Sequence, residues 1–340
     1  MMISGKNSVM RRFPLPILLC LLLSVADGSV TLRAAARAAP PVDPAAPDVA
    51  AAAAERPASG AAKARTGVRR QEGRRPFTLD IPKSVGDGEA FALRFGAEGA
   101  QALDLDLDGK KLHIGAPSPA SGFFEALLPV PLDTGKKRLR LALTIQWKGG
   151  GKEVLTRIVA VKKRDYPVQK LTVDSKFVSP PPEAAEKIRR DRAEMRAAVT
   201  STSPVQYWRL PLARPVPGEV TSLYGSRRVF NGVPKNPHKG VDFDAAAGEP
   251  VAAVEAGEVV LVSEHYYGGN TVVVDHGLGV ASAYLHLSGF NVRKGHRIAR
   301  GDIIGFAGDT GRVTGPHLHL SFYVLGESVN AEPCLEAERR

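Results

Sequence analysis

Cysteine is almost absent from this chain of 340 residues, which has only Cys20 and Cys334. Cys20 lies in a predicted secretion signal and would leave with it, so the mature chain would keep Cys334 alone. A single cysteine excludes an intramolecular disulfide. We therefore expect the fold to be stabilised by an apolar core, and Cys334 to be a structural thiol.

The chain also lacks an apolar run long enough to span a bilayer comfortably near its N-terminus, where the run covers only residues 13–25. The basic residues Lys6, Arg11 and Arg12 precede this run, and small residues suited to signal cleavage surround Val25. Residues 1–28 are therefore predicted to be a signal peptide. An uncleaved anchor, or a lipid on Cys20, is the alternative. An exported protein of the periplasm or cell envelope is expected.

The part expected to fold has little excess charge, although the net charge of the chain is +11. Lys and Arg exceed Asp and Glu by seven in residues 1–75 and by four in the remainder. Because the basic excess lies in a tail and not on a folded face, nucleic-acid binding is not expected. Residues 29–75 are rich in Ala, Pro and Arg and poor in apolar anchors. This composition predicts a disordered linker, with a short amphipathic helix as the alternative.

Short alternating segments predict a β-sandwich-like domain over residues 76–175. Apolar and polar residues alternate over 102–108, and Asp108-Gly109 then favours a hairpin turn into a return strand at 111–114. Similar segments at 138–147 and 154–161 continue the pattern. The spacing Asp104-x-Asp106-x-Asp108-Gly109 also partly matches a calcium loop, but the closing position is Gly115 where a glutamate is needed. The strand and turn account for all three aspartates.

A connecting helix is predicted within residues 176–207, over 183–199, where Ile188, Met195 and Val199 form a narrow apolar stripe. Residues 208–332 return to short apolar runs separated by glycine turns, which predicts one antiparallel β domain. The predicted fold class is therefore mostly β, with an N-terminal β-sandwich-like domain, a connecting helix and a C-terminal antiparallel β domain.

The C-terminal domain contains two motifs with potential metal ligands, His238-Lys-Gly-Val-Asp242 and Gly-Pro-His317-Leu-His319. Side chains two apart lie on the same face of a strand, so one histidine of the second motif can bind metal while the other contacts substrate. Catalytic zinc takes three ligands from His, Asp and Glu and keeps one position open. His238, Asp242 and His319 are the candidate ligands. His286 and His317 are the candidates for acid–base work and for stabilising an oxyanion.

One histidine alone is more often structural than functional, and it is the set within one glycine-rich domain that indicates a site. The remaining histidines are expected to be structural or surface residues: His113, His265, His276 and His296.

These motifs, together with Tyr284-Leu-His286, resemble the signature motifs of the lysostaphin-type zinc metallopeptidases, which cut peptide bonds in bacterial peptidoglycan. The similarity continues through residues 224–228, 248–251, 275–277 and 308–311, and so covers most of 208–330. The resemblance implies a zinc metallopeptidase domain at 208–332 with one Zn²⁺ per chain. It implies that the ion is held by His238, Asp242 and His319, while His286 and His317 orient or deprotonate water and stabilise the tetrahedral intermediate.

The function that this resemblance implies is hydrolysis of peptide cross-links in peptidoglycan by attack of zinc-bound water. The partners would be peptidoglycan peptides and envelope regulators, with no transmembrane segment in the mature chain. The alternative is a non-catalytic envelope factor of the same fold that binds the wall or activates an amidase; the complete set of five residues disfavours it. A carrier domain for biotin or lipoate is a third candidate class. Such a domain needs a modified lysine in a hairpin turn, and the sequence offers none.

The order of the predicted parts also suggests a regulatory hypothesis. The N-terminal domain and the helix at 183–199 end directly before the peptidase domain, so they could cover its groove and partly occlude the resting enzyme. The cross-link that is cut cannot be identified from the loops. The absence of a recognisable wall-anchoring or glycine-bridge-binding module favours a direct cross-link in a periplasm.

Overall fold

Strands dominate the computed structural model, which describes residues 75–337. The strands of the N-terminal part are β1 (Phe77–Asp80), β2 (Ser84–Gly86), β3 (Ala90–Ala97), β4 (Ala100–Leu107), β5 (Lys110–Ile114), β6 (Phe124–Pro129), β7 (Arg138–Trp147), β8 (Lys152–Lys162) and β9 (Val168–Leu171). Two helices follow, α1 (Ser175–Val178) and α2 (Ala184–Thr200). The strands of the C-terminal part are β10 (Val220–Ser222), β11 (Arg227–Phe230), β12 (Val233–Pro234), β13 (Val241–Phe243), β14 (Pro250–Ala252), β15 (Gly257–His265), β16 (Gly269–Gly277), β17 (Val280–Leu287), β18 (Gly289–Phe290), β19 (Arg297–Ile298), β20 (Ile303–Phe306), β21 (Leu318–Val324) and β22 (Glu327–Val329), followed by a 3-10 turn (Glu332–Cys334).

The predicted signal peptide at 1–28 and almost all of the predicted linker at 29–75 lie outside the described residues. Within residues 75–337, no helix has both the length and the apolar character needed to cross a bilayer. The predicted mostly-β fold class is confirmed, and the α-helices of residues 75–337 are confined to the connection between the two β-rich parts.

The N-terminal part consists of two sheets that share one apolar core. A three-stranded sheet in the order β1-β3-β6 and a five-stranded sheet in the order β2-β8-β7-β4-β5 contribute to it. Phe95 and Phe124 come from the smaller sheet, and Leu103 and Leu143 from the larger one. In β7 buried and more exposed residues alternate, as the sequence predicts for a strand with one face on a core.

The predicted hairpin is present between β4 and β5. Asp108 and Gly109 both have positive φ, 48° and 94°, which is the geometry of a two-residue turn that matches the strand twist. The calcium alternative is not supported, because the aspartates make other contacts. Asp104 lies 2.6 Å from Nδ1 of His113, Asp106 accepts the Gly109 N–H at 2.7 Å, and Asp108 accepts from Lys136 at 3.2 Å.

The C-terminal part is built on an eight-stranded antiparallel sheet in the order β10-β13-β21-β17-β16-β15-β19, with β22 paired to β21. Alternate residues of β21, beginning with Leu318, point into the main apolar core of this part. His319 and Tyr323 therefore point to the opposite face. Asp242 of β13 and Leu285 of β17 are the direct partners of His319 on either side.

Helix α2 packs on the same face of this sheet as His319. Its buried residues Ala198 and Val199 share a small core with Ala281 and Ala283 of β17. Ala283 is the register partner of Ser321, the next residue of β21 on the His319 face. The predicted helix at 183–199 is thus present, and it contacts the sheet that carries the candidate site.

The connection between the two parts pairs with the C-terminal part. Strand β9 runs parallel to β11, with Val168 opposite Arg227 and Leu171 opposite Phe230. The side chain of Asn231 then makes two hydrogen bonds to the backbone of Val173, at 2.9 and 3.0 Å. We call residues 168–178 the strap. The domain bounds at 175 and 207 stay predictions.

Candidate active site

The three predicted metal ligands meet at the junction of β13 and β21. Because Asp242 and His319 are register partners, their side chains lie next to each other. The carboxylate oxygen Oδ1 of Asp242 is 2.7 Å from Nδ1 of His319 and 3.0 Å from Nε2 of His238. The two nitrogens are 2.9 Å apart. All three residues are buried, and we call them the metal-ligand cluster.

The outward nitrogens of both histidines are held by neighbouring oxygens. Nδ1 of His238 lies 3.0 Å from the carbonyl oxygen of Leu223, which can only accept, so this nitrogen carries the proton. Nε2 of His319 lies 2.8 Å from the hydroxyl of Ser321, which can accept its proton. The inward nitrogens are then free to bind metal, as is usual for histidine ligands with a second hydrogen-bond partner.

This arrangement fits a divalent cation. Two nitrogen lone pairs and a carboxylate oxygen within 3.0 Å of one another repel unless a proton or a cation lies among them. Two imidazoles and one carboxylate are also a typical ligand set for catalytic zinc. The donor set and its burial therefore both suit Zn²⁺.

The pKa values in this cluster favour the forms that bind metal. Burial lowers the pKa of His319 to about 4, although Asp242 opposes the shift, so this imidazole is neutral near pH 7. Burial raises the pKa of Asp242, but its contacts with His238 and His319 outweigh burial and hold it well below the ordinary value. A neutral imidazole and an ionised carboxylate are the required states.

His286 and His317 lie beside the metal-ligand cluster. The ring centre of His286 is 4.9 Å from that of His317 and 5.9 Å from that of His319. Nε2 of His317 is 3.9 Å from Oδ1 of Asp242. The structure thus brings all five predicted site residues together.

Both of these histidines are oriented in the same way. Nδ1 of His286 lies 2.8 Å from the carbonyl oxygen of Thr310, and Nδ1 of His317 lies 2.8 Å from that of Gly315. A carbonyl only accepts, so each Nδ1 carries a proton and each Nε2 has a free lone pair when the ring is neutral. Burial lowers the pKa of His286 well below its ordinary value, with His319 and His317 adding to the shift.

The backbone of His286 has a positive φ of 64°, which costs a non-glycine residue about 1 kcal/mol or more. Its N–H donates to the carbonyl oxygen of Gly268 at 2.8 Å, so the hairpin between β15 and β16 helps to hold this conformation. Strain of this kind is common where a side chain must be aimed at a site.

Close packing explains why the first motif has a glycine at position 240. A Cβ at this position would lie 2.4 Å from Nε2 of His319 and 2.6 Å from the carbonyl oxygen of Leu320. The φ of Gly240 is not in the left-handed region, so space alone requires glycine. The chain can pass from His238 to Asp242 only by running directly against β21.

Arg228, which has no predicted role from the sequence motifs, contacts the metal-ligand cluster. Its guanidinium donates to Oδ2 of Asp242 at 2.7 Å and to the hydroxyl of Ser222 at 3.1 Å. Oδ2 is therefore occupied, which leaves Oδ1 for the two histidines. Arg228 belongs to the 224–228 segment that carries part of the family resemblance, and this was the only signal available for it.

A cavity of about 270 Å³ opens beside these residues. Asp242, His317, Arg228 and Arg312 line one part of it. The strap lines another part with Gln169, Leu171 and Val173. Of the connecting segments, it is therefore the strap that borders this cavity, while helix α2 lies on the sheet; the occlusion hypothesis stays a prediction.

The other four histidines lie outside this site. His276 is completely buried between the carbonyl oxygen of Ala256 and the hydroxyl of Ser282, and burial lowers its pKa to about 4. His113 is exposed on β5, and His296 is half-buried directly before β19. His265 belongs to a second group of possible metal ligands with Asp191 and Glu194, which we call the helix cluster.

Comparison with known proteins identifies the C-terminal part. Residues 236–331 match the model of Peptidase family M23. The chain contains a peptidase domain of family M23. All five predicted site residues fall within the matched range, and so do Gly240 and Arg312, whereas Arg228 lies just before it.

The relatives of the M23 domain include cell-wall enzymes. Over 95 residues the chain is 50% identical to the peptidoglycan DD-endopeptidase ShyA of Vibrio cholerae. This match covers 28% of this chain and 22% of that protein. Over 85 residues it is 45% identical to the glycyl-glycine endopeptidase ALE-1 of Staphylococcus capitis, covering 24% of each. The chain thus spans less than a quarter of the length of these relatives.

A solved structure extends the similarity beyond the M23 domain. The crystal structure of a peptidase M23 from Pseudomonas aeruginosa is 27% identical, with a TM-score of 0.56. The match covers 73% of this chain and 93% of that structure. The structural similarity therefore extends over more of the chain than residues 236–331.

Proposed function

We propose that this protein is an exported zinc-dependent endopeptidase that hydrolyses peptide cross-links of bacterial peptidoglycan. The observation that supports this most strongly is the convergence of His238, Asp242 and His319, with His286 and His317 beside them. The M23 match and the names of relatives such as the peptidoglycan DD-endopeptidase ShyA agree with it. Its site of action is the periplasm or cell envelope.

His238, Asp242 and His319 would hold the zinc ion. When bound, zinc supplies a Lewis acid that lowers the pKa of a coordinated water toward neutrality and polarises a carbonyl group. Ser321 and Leu223 keep the histidine rings in the orientation that presents their inward nitrogens. Arg228 holds the second oxygen of Asp242 and so fixes which oxygen faces the ion.

His286 and His317 would move the protons of the reaction. A free Nε2 accepts a proton from the attacking water as its oxygen adds to the scissile carbonyl carbon. The same proton passes to the leaving amine when the carbon–nitrogen bond breaks. Before it gives up this proton, the protonated histidine donates its Nε2–H to the oxyanion.

The two histidines differ in their surroundings, which suggests different roles. His286 is buried and its low pKa keeps it neutral, so it is suited to accept a hydrogen bond from water. The side chain of His317 is 18% exposed and lines the cavity, so it is suited to contact the substrate. Neither needs to leave its carbonyl partner for these tasks.

The test is digestion of purified sacculi, with mass spectrometry of the released muropeptides. The full mature chain should release fragments with new amino ends, and the products identify the bond that is cut. His238→Ala should be folded, free of zinc and inactive. The variant His296→Ala changes a half-buried histidine outside the site, so it is the matched control and should behave as wild type. Folded, zinc-free His238→Ala that still releases muropeptides at the wild-type rate would overturn the proposal.

A zinc-loaded wild-type protein that binds sacculi without releasing fragments would instead identify a non-catalytic envelope factor. Elemental analysis and the digestion therefore have to be done on the same preparation.

A further inference from the structure

Arg312 carries a positive charge, and no carboxylate within residues 75–337 forms an ion pair with it. Its guanidinium lies between two aromatic rings, 4.8 Å from the ring centre of Phe230 and 4.8 Å from that of Tyr267. Among the ion pairs of residues 75–337, none includes Arg312. Half-burial lowers its pKa, with the neighbouring Arg228 as a further cause, but a guanidinium remains charged at any physiological pH.

The two aromatic rings hold this guanidinium beside the candidate active site. Arg312 lines the cavity of about 270 Å³ together with Asp242 and His317. A group bound in this cavity can therefore contact both Arg312 and the residues that surround the scissile bond. A planar guanidinium fixed in this way offers two parallel N–H donors, the arrangement that suits a carboxylate.

The other charged side chains at the cavity do not cancel the positive charge of Arg312. Arg228 also lines it, but its charge is paired with Asp242. Asp244 is the only other acid among the lining residues, and its side chain is exposed to solvent. On the proposed function, the charge of Asp242 is shared with a divalent cation as well. The cavity of the loaded enzyme would thus have an excess of positive charge, carried by Arg312.

A peptide has few places for a carboxylate next to the bond being cut. On the acyl side the carboxyl carbon is already part of the amide. On the amine side, the carbon that bears the amide nitrogen carries a free carboxylate in two cases: when the residue is the end of a chain, and when it is one centre of a diamino diacid in a direct cross-link. An amide inside a glycine bridge has no such carboxylate.

We infer that Arg312 binds a free carboxylate on the residue that supplies the scissile amide nitrogen, and thereby selects direct diamino-diacid cross-links or chain ends over glycine bridges. This inference rests on the proposed function and names its substrate class. The aromatic rings would hold the guanidinium in place before substrate arrives. The carboxylate would then fix the scissile carbonyl relative to His317 and the metal ligands.

The test compares matched synthetic peptides on the full mature chain. In the first pair a D-alanyl group is joined to a D-residue whose amine-bearing carbon carries either a carboxylate or a carboxamide. A third peptide has a pentaglycine bridge, and a fourth has a diamino diacid in a cross-link. The ratio of rates on the chain-end peptide and on the cross-linked peptide separates the two sources of the carboxylate.

Wild-type protein should prefer the free carboxylate over the carboxamide by about 10- to 100-fold in kcat/KM, as expected for one charged hydrogen-bonded pair. Arg312→Gln should lose that preference through a higher KM, while its rate on the carboxamide stays within about twofold. Arg312→Lys should recover part of the preference, because lysine keeps the positive charge but lacks the two parallel N–H donors of a guanidinium. Arg94→Gln removes another arginine that stacks on an aromatic ring, at 4.0 Å from Phe123 in the N-terminal part, and should change nothing.

Binding provides a readout that does not depend on catalysis. Metal is first removed with a chelator, and binding of the first pair of peptides is measured by calorimetry. The peptide with the free carboxylate should bind wild type more tightly than the peptide with the carboxamide. Arg312→Gln should bind both peptides equally. Equal losses on both peptides in Arg312→Gln, or no preference in wild type, would overturn the inference. Failure to hydrolyse any peptide would overturn the proposed function, and the binding comparison would still decide the role of Arg312.

Discussion

The described residues contain two groups of side chains that could hold a metal ion, and they differ in what already satisfies their ligand atoms. One is the metal-ligand cluster of His238, Asp242 and His319, and the other is the helix cluster of Asp191, Glu194 and His265. In the helix cluster the backbone N–H of Tyr266 donates to Asp191 at 2.5 Å. His265 and the hydroxyl of Ser263 both contact Oε2 of Glu194 at 3.2 Å.

A lysine completes the contrast between the clusters. Nζ of Lys187 lies 3.3 Å from Asp191 and 2.6 Å from the carbonyl oxygen of Glu264, so a cation is already present in the helix cluster. These bonds join helix α2 to the end of β15. In the metal-ligand cluster, by contrast, the inward atoms face one another. Proximity of three ligand types therefore does not define a metal site; inward-facing ligand atoms that have mainly one another as close neighbours do.

Replacement of a metal ligand should have the largest effect. His319→Ala should reduce the zinc content from about one ion per chain to near zero, because two remaining protein ligands bind zinc weakly. Activity on sacculi should fall about 1,000-fold or more, since the ion supplies several kcal/mol of stabilisation to the transition state. The matched variant His265→Ala should keep both zinc and activity. Zinc-loaded His319→Ala, or loss of zinc in His265→Ala, would reverse the assignment of the two clusters.

Acid should remove the metal reversibly, and at a lower pH than an ordinary histidine site would release it. Because burial lowers the pKa of His319 to about 4, this ligand stays neutral at pH 5.5, where a free imidazole is mostly protonated. Protonated imidazole cannot bind metal, so protons should displace zinc from His319 only as the pH falls toward about 4. Elemental analysis after dialysis at each pH measures this. Complete release by pH 6 would contradict the expected direction of the shift.

Filling the space at Gly240 should disturb the metal-ligand cluster without removing a ligand. Gly240→Ala places a Cβ against His319 and the backbone of β21, and overpacking of this kind costs about 1–3 kcal/mol. We expect zinc affinity and activity to fall about 10- to 100-fold. Gly115→Ala is the control, because the nearest atom to its new Cβ is 3.8 Å away. If Gly240→Ala bound zinc with wild-type affinity, the close approach of the two strands would not be required.

Removal of Arg228 should weaken the metal site by freeing the second oxygen of Asp242. Residues that orient a ligand in this way typically change metal affinity about 10- to 100-fold. Arg228→Gln should therefore bind zinc more weakly in a competition with a chelator, with all three ligands still present. Lys187→Gln removes the corresponding cation of the helix cluster and should leave zinc affinity unchanged. An equal effect of both variants would point to general destabilisation.

The limits of sequence-based prediction follow from how these contacts form. The hairpin at Asp108-Gly109 and the helix at 183–199 were predictable, because turn residues and apolar spacing act locally. The five site residues could be proposed because they lie in short motifs that resemble a family. The pairing of β9 with β11 had no local signal, since parallel pairing joins residues about 60 positions apart. The stacking of Arg312 between Phe230 and Tyr267 likewise exists only after the chain has folded.

Replacing a residue of the helix cluster should hardly change stability, zinc content or activity, and this is the smallest effect expected. Glu194 is 49% exposed, so its contacts with His265 and Ser263 are weakened by solvent. Glu194→Gln keeps the shape of the side chain and removes its charge, and exposed ion pairs of this kind contribute less than about 1 kcal/mol. We expect the midpoint of denaturant unfolding to shift only slightly, and zinc content and activity to match wild type. If Glu194→Gln lost a bound metal ion, proton donors near a cluster would not exclude a metal site, and the distinction between the two clusters would fail.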